Sequence, residues 1–381
     1  MLEISNHDLS DEDASWLGHM KQALSLAENV SSASPNPRVG CVLANGSEVV
    51  GSGWHIGAGE PHAERMALLN AGDKAKNSTV FVTLEPCCHV GRTGSCVEAL
   101  RAAGVSRVII PVIDPNPLVA GKGVQELLDA GIDVIRLIDF ESQARAINLG
   151  FFKRYEAKRP YVRLKLAMSI DGRTALASGE SKWISGTESR KDVQSIRRLS
   201  DAVVTGVGTV LSDDPQLTVR ETEDVKPVRQ PLRVVLDTQL RTPVDSRILD
   251  ADGPLLFLFS EEGDAVVERA AALRARTANV ERITVCDEGG RADIASVLKL
   301  LLEDYGCNEV LIEAGATLAG GVISEGLVDE LIVYLAPKIL GSDGRPLLQL
   351  GGITSLGLAP HFAIASVTRC GDDLRVVFKR Q

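Results

Sequence analysis

Four residues in the first third of the chain have the types and spacing of a metal-dependent hydrolytic site. His62 and Glu64 lie two residues apart, and Cys87 and Cys96 follow them. One imidazole and two thiolates are three ligands for zinc, and they leave the fourth tetrahedral position open to water. Zinc deaminases of nucleobases use this ligand set, and the Glu two residues after the His moves the proton. We therefore predict a catalytic zinc site with Glu64 as general base.

The residues that follow Cys87 leave alternatives open. Cys88 or His89 could supply a fourth ligand and close the site around a structural zinc, or the thiols could bind no metal. A structural zinc gives Glu64 no role, which favours catalysis. The insert 88–95 departs from the usual Cys-x-x-Cys spacing of deaminases, so it must loop out, where it can touch a substrate.

Two glycine-containing segments in the second half are typical of phosphate-binding turns. Residues 313–321 (EAGATLAGG) follow an apolar strand and open a helix, and residues 205–209 (TGVGT) follow another strand. Glycines let the backbone approach a phosphate, and the N–H groups of a helix start can hold it. The first segment is neither a G-x-G-x-x-G motif nor a Walker A loop, and close packing of the helix on the sheet is the alternative explanation. Together the two turns predict a dinucleotide cleft.

Composition limits the classes of protein to consider. The 381 residues suit two domains, and 44% apolar residues allow each a core. The net charge of −10 argues against a surface that coats nucleic acid. Residues 1–13 lack the features of a signal peptide, and no apolar run is long enough to span a membrane. We expect a cytoplasmic α/β protein without membrane or nucleic-acid partners.

The number and spacing of the cysteines also indicate a cytoplasmic protein. The chain has seven, an odd number, and three of them crowd into 87–96. In a reducing compartment such crowding indicates metal binding or catalysis and not a disulfide framework. The other four are expected to be small buried hydrophobes: Cys41, Cys286, Cys307 and Cys370.

Hydrophobic periodicity predicts the elements that position the first site. An amphipathic helix is followed by the pattern β-β-α-β-α-β-α, which indicates a sheet covered by helices, with a hairpin turn at Asn45-Gly46. The predicted strands are 39–43, 48–53, 78–84 and 105–112, and the predicted helices are 11–30, 62–70, 96–103 and 123–130.

A short charged segment, 154–160, ends in proline and marks the expected domain boundary. Beyond it, strands alternate with helices, which predicts a second α/β domain with a mostly parallel sheet. The predicted strands are 161–167, 202–205, 232–237, 255–259, 309–312 and 331–336, and the predicted helices are 188–199, 264–275, 293–304 and 317–325.

Motifs in the first half resemble the bifunctional deaminase/reductase family of riboflavin biosynthesis. They are 34–41 (SPNPRVGC), 59–64 (GEPHAE), 83–87 (TLEPC), 89–93 (HVGRT) and 114–121 (DPNPLVAG). The resemblance implies a cytidine-deaminase-like α/β/α domain at 1–157. It implies zinc-dependent hydrolytic deamination of 2,5-diamino-6-(ribosylamino)-4(3H)-pyrimidinone 5'-phosphate, with Asn36 holding the pyrimidine. Two departures stand out: Cys88 replaces a small residue and could compete for the metal, and Gly94-Ser95 replaces Pro-Pro and allows a looser loop.

Motifs in the second half resemble the reductase domain of the same family. They are 165–174 (KLAMSIDGRT), 178–184 (SGESKWI), 213–220 (DDPQLTVR) and 328–331 (VDEL). The resemblance implies a dihydrofolate-reductase-like α/β domain at 158–381 that uses NADPH to reduce the ribosyl side chain to the ribityl form. It implies cofactor contacts at Ala167, Trp183, Thr209, Asp213, Gly315, Ala316, Thr317, Leu318, Ala319, Gly320 and Gly321. It implies substrate contacts at Lys165, Ser181, Arg197, Leu217, Arg220 and Glu313.

Residue chemistry alone leaves a second interpretation for several of these positions. Arg197 and Arg220 suit a sugar phosphate through bidentate bonds, but solvated surface charge is the ordinary explanation for an arginine. Lys165 lies in an apolar strand and requires a partner such as an acidic group. Asp171 can be a purely structural turn residue, and Ser181 and Trp183 can be loop packing. The preference for NADPH over NADH rests on the resemblance alone.

Two other functions stay open at this point. One is a nucleobase or nucleoside deaminase with an inactive second domain, and the complete motifs of the second half count against it. The other is a binding protein with a structural zinc and a degenerate cleft, and Glu64 beside an open metal position counts against it. We also expect a homo-oligomer, for which the apolar strand 331–336 could provide an interface.

Overall fold

A six-stranded sheet and a nine-stranded sheet form the centres of two units, Met1–Lys158 and Arg159–Gln381. The computed structural model describes residues 1–10, 13, 15–89, 94–220, 229–276, 279–283 and 291–380. Each unit is described by itself below. Within the described residues, no helix has the length and apolar character that crossing a membrane requires.

The first unit contains every element predicted for it and several short ones that the periodicity did not predict. The additional elements are the edge strand β1, the strand β6 and the last two helices. The strands are β1 (Leu2–Ile4), β2 (Gly40–Asn45), β3 (Glu48–Trp54), β4 (Thr79–Val82), β5 (Arg107–Ile110) and β6 (Asp133–Leu137). The helices are α1 (Ser15–Ala27), α2 (Ala63–Ala71), α3 (Cys96–Ala103), α4 (Lys122–Asp129), α5 (Glu141–Ile147) and α6 (Leu149–Ala157).

The strand order of the first sheet is β1-β6-β5-β4-β2-β3. Strands β1, β6, β5 and β4 are parallel, and β2 runs antiparallel to both β3 and β4. Apolar residues of β4 and β5, such as Phe81 and Ile109, are almost fully buried and directly opposite each other. Continuous apolar runs are expected where a strand is covered on both faces. The parallel strands end at one edge of the sheet, which is where the first site lies.

Helix α2, which follows His62, packs unusually close to β3. Its alanines Ala63, Ala67 and Ala71 are buried against the sheet at a spacing of four residues. A Cβ atom on Gly51 would overlap the Ala67 carbonyl, and one on Gly53 would lie 2.5 Å from the Cβ of Met66. Small residues on both surfaces therefore fix the position of this helix relative to the strand.

The second unit also contains the elements predicted for it, together with further strands and helices. Its strands are β7 (Tyr161–Ser169), β8 (Arg173–Ala175), β9 (Ala202–Gly206), β10 (Leu232–Leu236), β11 (Leu255–Phe259), β12 (Asn279–Arg282), β13 (Glu309–Glu313), β14 (Glu330–Ala336), β15 (Arg345–Pro346), β16 (Phe362–Cys370) and β17 (Asp373–Arg380). Its helices are α7 (Thr187–Leu199), α8 (Val207–Asp213), α9 (Arg247–Asp250), α10 (Asp264–Arg274), α11 (Ile294–Glu303) and α12 (Ala316–Ser324).

The large sheet has the order β12-β11-β10-β9-β13-β7-β14-β17-β16. The strands from β12 to β14 are parallel, as predicted, and β17 and β16 continue the sheet as an antiparallel hairpin. Alternate residues of each strand face opposite sides. Val204 and Val234 pack with α11 and α12, whereas Val203 and Val235 pack with α7 and α10. Both faces of the sheet are therefore covered by helices.

The prediction that strand 331–336 provides an interface is wrong. This strand is β14, which pairs with β7 on one side and β17 on the other. Most of its side chains are buried within the unit. The sequence pattern of an apolar strand does not distinguish a central strand from one that faces a partner, because both require apolar residues.

Candidate active sites

The three predicted zinc ligands lie at the ends of consecutive elements of the first unit. His62 is the residue immediately before α2, and Cys96 is the first residue of α3. Cys87 lies in the segment that follows β4, and its carbonyl accepts hydrogen bonds from the N–H groups of Cys96 and Val97. Ser95 caps α3, accepting a bond from the Glu98 N–H and donating one to the Cys87 carbonyl at 3.1 Å. The backbone therefore holds the two cysteines together.

The ligand atoms have the separations that a tetrahedral zinc requires. The Nδ1 atom of His62 lies 3.5 Å from the Cys87 sulfur and 3.3 Å from the Cys96 sulfur. All three ligand atoms lie within 4.8 Å of one another. Nitrogen at about 2.0 Å and sulfur at about 2.3 Å from one zinc ion, at tetrahedral angles, would be about 3.5 Å apart. The residues present fit zinc, and His62 would bind it through Nδ1.

The pKa shifts of the two cysteine thiols suit a divalent cation such as zinc. The hydrogen bond from Cys96 lowers the pKa of the Cys87 thiol to about 4, and His62 acts in the same direction. The bond to Cys87 and burial raise the pKa of the Cys96 thiol. A divalent cation bound to both sulfurs would displace the thiol proton, because cysteines bind metal as thiolates. Glu64 is 4% exposed, and burial raises the pKa of its carboxyl, which suits a group that accepts and returns a proton.

Glu85, within the Glu-Pro-Cys motif, is a residue whose role the sequence did not reveal. Its carboxylate is buried and accepts backbone N–H bonds from Asp114, Gly121 and Val124, at 3.2, 2.9 and 3.0 Å. A Cβ atom on Gly123 would overlap the Pro86 carbonyl, so the start of α4 approaches this segment closely. Glu85 is thus a structural acceptor that joins the 114–121 motif to the segment carrying Cys87.

Cys88 and His89 do not join the ligand cluster, which among the described residues consists of His62, Cys87 and Cys96. The Cys88 thiol donates to the Leu118 carbonyl at 3.6 Å. Residues 90–93 of the insert lie outside the described residues. The end of the insert is held and not loosened, because Arg65 donates to the carbonyls of Gly94 and Ser95.

Asn36 is brought next to the zinc ligands through a buried histidine. Its side-chain Nδ2 lies 3.0 Å from Nε2 of His55, and Nδ1 of His55 lies 3.1 Å from the Pro61 carbonyl. If Asn36 donates to Nε2, then His55 carries its proton on Nδ1 and donates to Pro61. The rings of His55 and His62 are 5.0 Å apart. Sequence reasoning missed His55, whose only sequence signal is a polar residue after an apolar strand.

In the second unit, Glu313 is the centre of a buried charge cluster. Arg197 on α7 donates to both carboxylate oxygens of Glu313, at 2.5 and 3.1 Å, and Lys165 on β7 lies 3.8 Å from the same group. Although burial raises it, the pKa of Glu313 is lowered overall by Arg197 and Lys165. The expectation that Lys165 has an acidic partner is confirmed. Thr205 at the end of β9 donates to the Glu313 carbonyl at 2.7 Å.

A second contact joins two further predicted residues. Ser181 donates from Oγ to Asp213 at 3.1 Å, and Lys182 Nζ lies 2.7 Å from the Asp213 carbonyl. Trp183 is 59% exposed, and the Arg190 guanidinium lies 4.5 Å from the centre of its ring. An exposed indole beside a cation is available to a planar ligand. Asp171 has the structural role considered for it, accepting bonds from Ser169 and from the backbone of Leu340 and Gly341.

The sequence offered two interpretations of the glycine segments: phosphate binding and close packing of the helix on the sheet. Individual glycines differ in which of the two they suit. Gly315 precedes α12, and neither it nor Gly321 would bring a Cβ atom within 4 Å of another group. A Cβ atom on Gly320 would instead overlap the Gln349 carbonyl, so Gly320 is required by packing. At 205–209 the chain enters α8 directly after Gly206, and Thr209 lies within this helix.

The remaining predicted residues flank this cluster. Ala167 lies on β7, two residues beyond Lys165, and the residues 316–319 form the first turn of α12. Leu217 is buried with a positive φ of 56°, and the side chain of Arg220 is exposed. Burial lowers the pKa of the Arg220 guanidinium, and the nearby cations Arg197, Arg247 and Arg190 lower it further. This concentration of positive charge is suited to an anionic group of a ligand.

Comparisons with known proteins divide the chain in the same way. Residues 15–112 match the family model of the cytidine and deoxycytidylate deaminase zinc-binding region, and residues 160–376 match the RibD C-terminal domain. The riboflavin biosynthesis protein RibD of Escherichia coli (strain K12) is 45% identical over 366 residues, which cover 93% of this chain and 97% of that protein.

Two solved structures are similar over nearly the whole chain. Acinetobacter baumannii RibD, form 1, has a TM-score of 0.87 at 40% identity and covers 97% of this chain and 99% of its own. A diaminohydroxyphosphoribosylaminopyrimidine deaminase/5-amino-6-(5-phosphoribosylamino)uracil reductase from Thermotoga maritima has a TM-score of 0.82 at 29% identity, with coverage of 97% and 99%.

The first unit is therefore a zinc-binding deaminase domain with a cytidine-deaminase-like fold, and the second is an NADPH-dependent reductase domain. An enzyme that carries both in one chain is bifunctional. The chain belongs to the RibD family of riboflavin biosynthesis proteins.

Proposed function

We propose that the two units catalyse consecutive steps on one phosphorylated pyrimidine. The first unit would hydrolyse the 2-amino group of 2,5-diamino-6-(ribosylamino)-4(3H)-pyrimidinone 5'-phosphate and release ammonia. The second would reduce the ribosyl group of the product, 5-amino-6-(5-phosphoribosylamino)uracil, to the ribityl form. The observation that carries the deaminase assignment is the cluster of His62, Cys87 and Cys96 within 4.8 Å, with Glu64 buried beside it.

In the deaminase, His62, Cys87 and Cys96 would hold zinc and Glu64 would move the proton. Zinc, when bound there, would acidify a water molecule and so supply the nucleophile. Glu64 would take a proton from the attacking water and pass it to the ring nitrogen beside the reacting carbon. It would then carry the proton of the added hydroxyl to the leaving amine, so that a carbonyl forms, water is consumed and ammonia is released. Asn36, oriented by His55, holds the edge of the pyrimidine. Glu64 sits in the first turn of α2, whose close packing on β3 keeps the carboxylate in place.

In the reductase, the chain would orient the cofactor and the opened sugar against each other. NADPH, when bound, would supply a hydride to C1 of the ribosyl imine; a proton would add to the imine nitrogen and NADP⁺ would be released. Cofactor contacts are assigned to Ala167, Trp183, Thr209, Asp213 and the segment 315–321. Among these, Asp213 is oriented by Ser181, and Gly315 starts a helix whose N–H groups suit a phosphate.

Substrate contacts in the reductase are assigned to Lys165, Ser181, Arg197, Leu217, Arg220 and Glu313. The Glu313 cluster keeps Lys165 and Arg197 in fixed positions, since a buried carboxylate holds both cations. Arg220 is exposed among other cations and is assigned to the substrate phosphate. Such a site gains most from a doubly charged anion, because the phosphate relieves the repulsion among the arginines.

We also propose that the protein is a cytoplasmic homo-oligomer. Thiolate zinc ligands and NADPH suit a reducing compartment. The edge strand β16 pairs with β17 alone among the described strands, and it exposes Ile364 and Val367, which are 66% and 57% accessible. An exposed apolar edge is a liability that a second copy of the chain would cover. Light scattering of the wild type and of a variant with Ile364→Lys tests this, with a monomeric wild type as the contrary result.

The enzymatic proposal is tested by supplying the diaminopyrimidinone substrate together with NADPH and following ammonia and NADPH separately. Release of ammonia followed by NADPH oxidation is expected. Ammonia release without any NADPH oxidation would favour a deaminase with an inactive second unit, and neither signal would favour a binding protein.

A further inference from the structure

The segment Asp214–Arg220, which carries two of the proposed substrate contacts, has an unfavourable backbone. It has no helix or strand, and two of its residues have left-handed φ values, 42° at Asp214 and 56° at Leu217. Neither is glycine, and a left-handed φ is unfavourable for a residue that has a Cβ atom. A conformation of this kind persists only where the surrounding structure fixes it. The neighbouring side chains show how it is fixed.

Two glutamines from different elements hold the peptide group that precedes Arg220. Gln230, just before β10, donates from Nε2 to the Val219 carbonyl at 2.8 Å and accepts the Val219 N–H at 2.8 Å. Gln194 on α7 accepts the Arg220 N–H at 2.9 Å. The peptide between Val219 and Arg220 therefore has its carbonyl bound by one glutamine and its N–H bound by the other.

Other side chains hold the segment further upstream. Arg197 donates to the Thr218 carbonyl at 2.9 Å, and the buried Arg233 on β10 donates to the Gln216 carbonyl at 3.3 Å. Arg233 also donates to the carbonyls of Ile248, Ala251 and Gly253, which ties the segment to the region around α9. The two glutamines differ from these arginines because they add no charge beside Arg220.

The charges around Arg220 explain why its backbone must be held in place. Arg197, Arg247 and Arg190 all repel the guanidinium of Arg220, whose side chain is exposed. A flexible segment would let Arg220 turn away from these cations into solvent. Gln194 is 4% exposed, so water cannot easily replace its amide as the partner of the Arg220 N–H. Loss of this bond would leave a buried polar group unpaired, which is costly.

We infer that Gln194 and Gln230 are positioning residues of the reductase, which hold the peptide before Arg220 so that its guanidinium meets the phosphate of the substrate. This inference rests on the proposed role of Arg220. It assigns to two uncharged side chains part of the discrimination between a phosphorylated substrate and the same compound without phosphate. Neither glutamine would touch the ligand.

The test uses the full-length enzyme loaded with zinc and the deaminated substrate in phosphorylated and dephosphorylated forms. Gln194→Met and Gln230→Met remove the bonds to the backbone at similar side-chain volume and, like glutamine, add no charge beside Arg220. We expect each Met variant to raise KM for the phosphorylated substrate at least about fivefold, the equivalent of one net hydrogen bond of about 1 kcal/mol. The larger rise is expected for Gln230→Met, because Gln230 makes two bonds to Val219. Values of kcat, of KM for NADPH and of KM for the dephosphorylated form should change little.

Ser195→Ala, which changes an exposed neighbour on the same helix, should behave as wild type. A Met variant at either position that lowers the melting temperature but keeps the wild-type ratio of the two KM values would overturn the inference. If Arg220→Ala loses the ratio while both Met variants keep it, the positioning role fails and the phosphate role of Arg220 stands. If Arg220→Ala also keeps the wild-type ratio of the two KM values, the positioning role of the glutamines and the phosphate role of Arg220 both fail.

Discussion

The two sites are assembled in different ways. The zinc ligands all lie between His62 and Cys96, at the starts of two helices and after one strand, and backbone bonds join the two cysteines. The reductase cluster joins residues that are far apart in sequence, and Lys165 meets Glu313 only because β13 is inserted between β9 and β7 in the sheet. A local site is encoded by a motif, whereas a dispersed site is encoded by the strand order. The two should therefore respond differently to substitution.

The largest effect is expected at the local site on removal of a ligand. Cys87→Ser should lose bound zinc and all measurable deamination, because serine is a much weaker zinc ligand than a thiolate. Metal content and ammonia release check this, and Cys88→Ser is the matched control, since the neighbouring thiol contacts Leu118 and not the ligand cluster. Loss of zinc with Cys88→Ser would show that the ligand set is incomplete.

Glu64→Gln should separate metal binding from proton transfer. The amide keeps the shape of the side chain but cannot accept the proton, so deamination should fall about 1,000-fold, within the range of general acid–base catalysis. Zinc content should be unchanged. Glu98→Gln, an exposed residue on α3, is the control. An unchanged rate of ammonia release would remove Glu64 from the mechanism.

At the dispersed site, Glu313→Gln should affect stability as well as activity. It leaves Lys165 and Arg197 without their buried carboxylate, which is expected to cost about 3 kcal/mol of unfolding free energy. Thermal unfolding and NADPH oxidation measure the two effects, with the exposed Glu303→Gln on α11 as control. Reductase activity lost without any loss of stability would argue that the cluster is not a structural unit.

Arg220→Ala should have the smallest effect and the most selective one. Removing one charge-assisted phosphate contact should raise KM of the reductase for its phosphorylated substrate by about 10- to 100-fold. Deamination should be unaffected, because the zinc site lies in the other unit. Loss of both activities would contradict the assignment of two independent sites.

The same contrast determines what could be predicted from the sequence. The candidates His62, Cys87 and Cys96 could be named from their residue types and order, but the sequence left Cys88 and His89 open as a fourth ligand until the structure placed them outside the cluster. Lys165 could be assigned an acidic partner because a buried ammonium needs one. Glu85 could not be recognised as a backbone acceptor, because its three donors come from residues 114–124 in another part of the chain. Gln194 and Gln230 were missed for the same reason. Gly320 shows the opposite case, in which a glycine that resembles a phosphate-binding residue is required by packing against Gln349.

The most direct test of two independent sites is to give the deaminated intermediate, 5-amino-6-(5-phosphoribosylamino)uracil, to the Glu64→Gln variant with NADPH. This substrate bypasses the zinc site and requires only the reductase. We expect NADPH oxidation at the wild-type rate with no release of ammonia, because the reductase residues are unchanged. Loss of NADPH oxidation in this variant, with the protein folded and its zinc content normal, would contradict it.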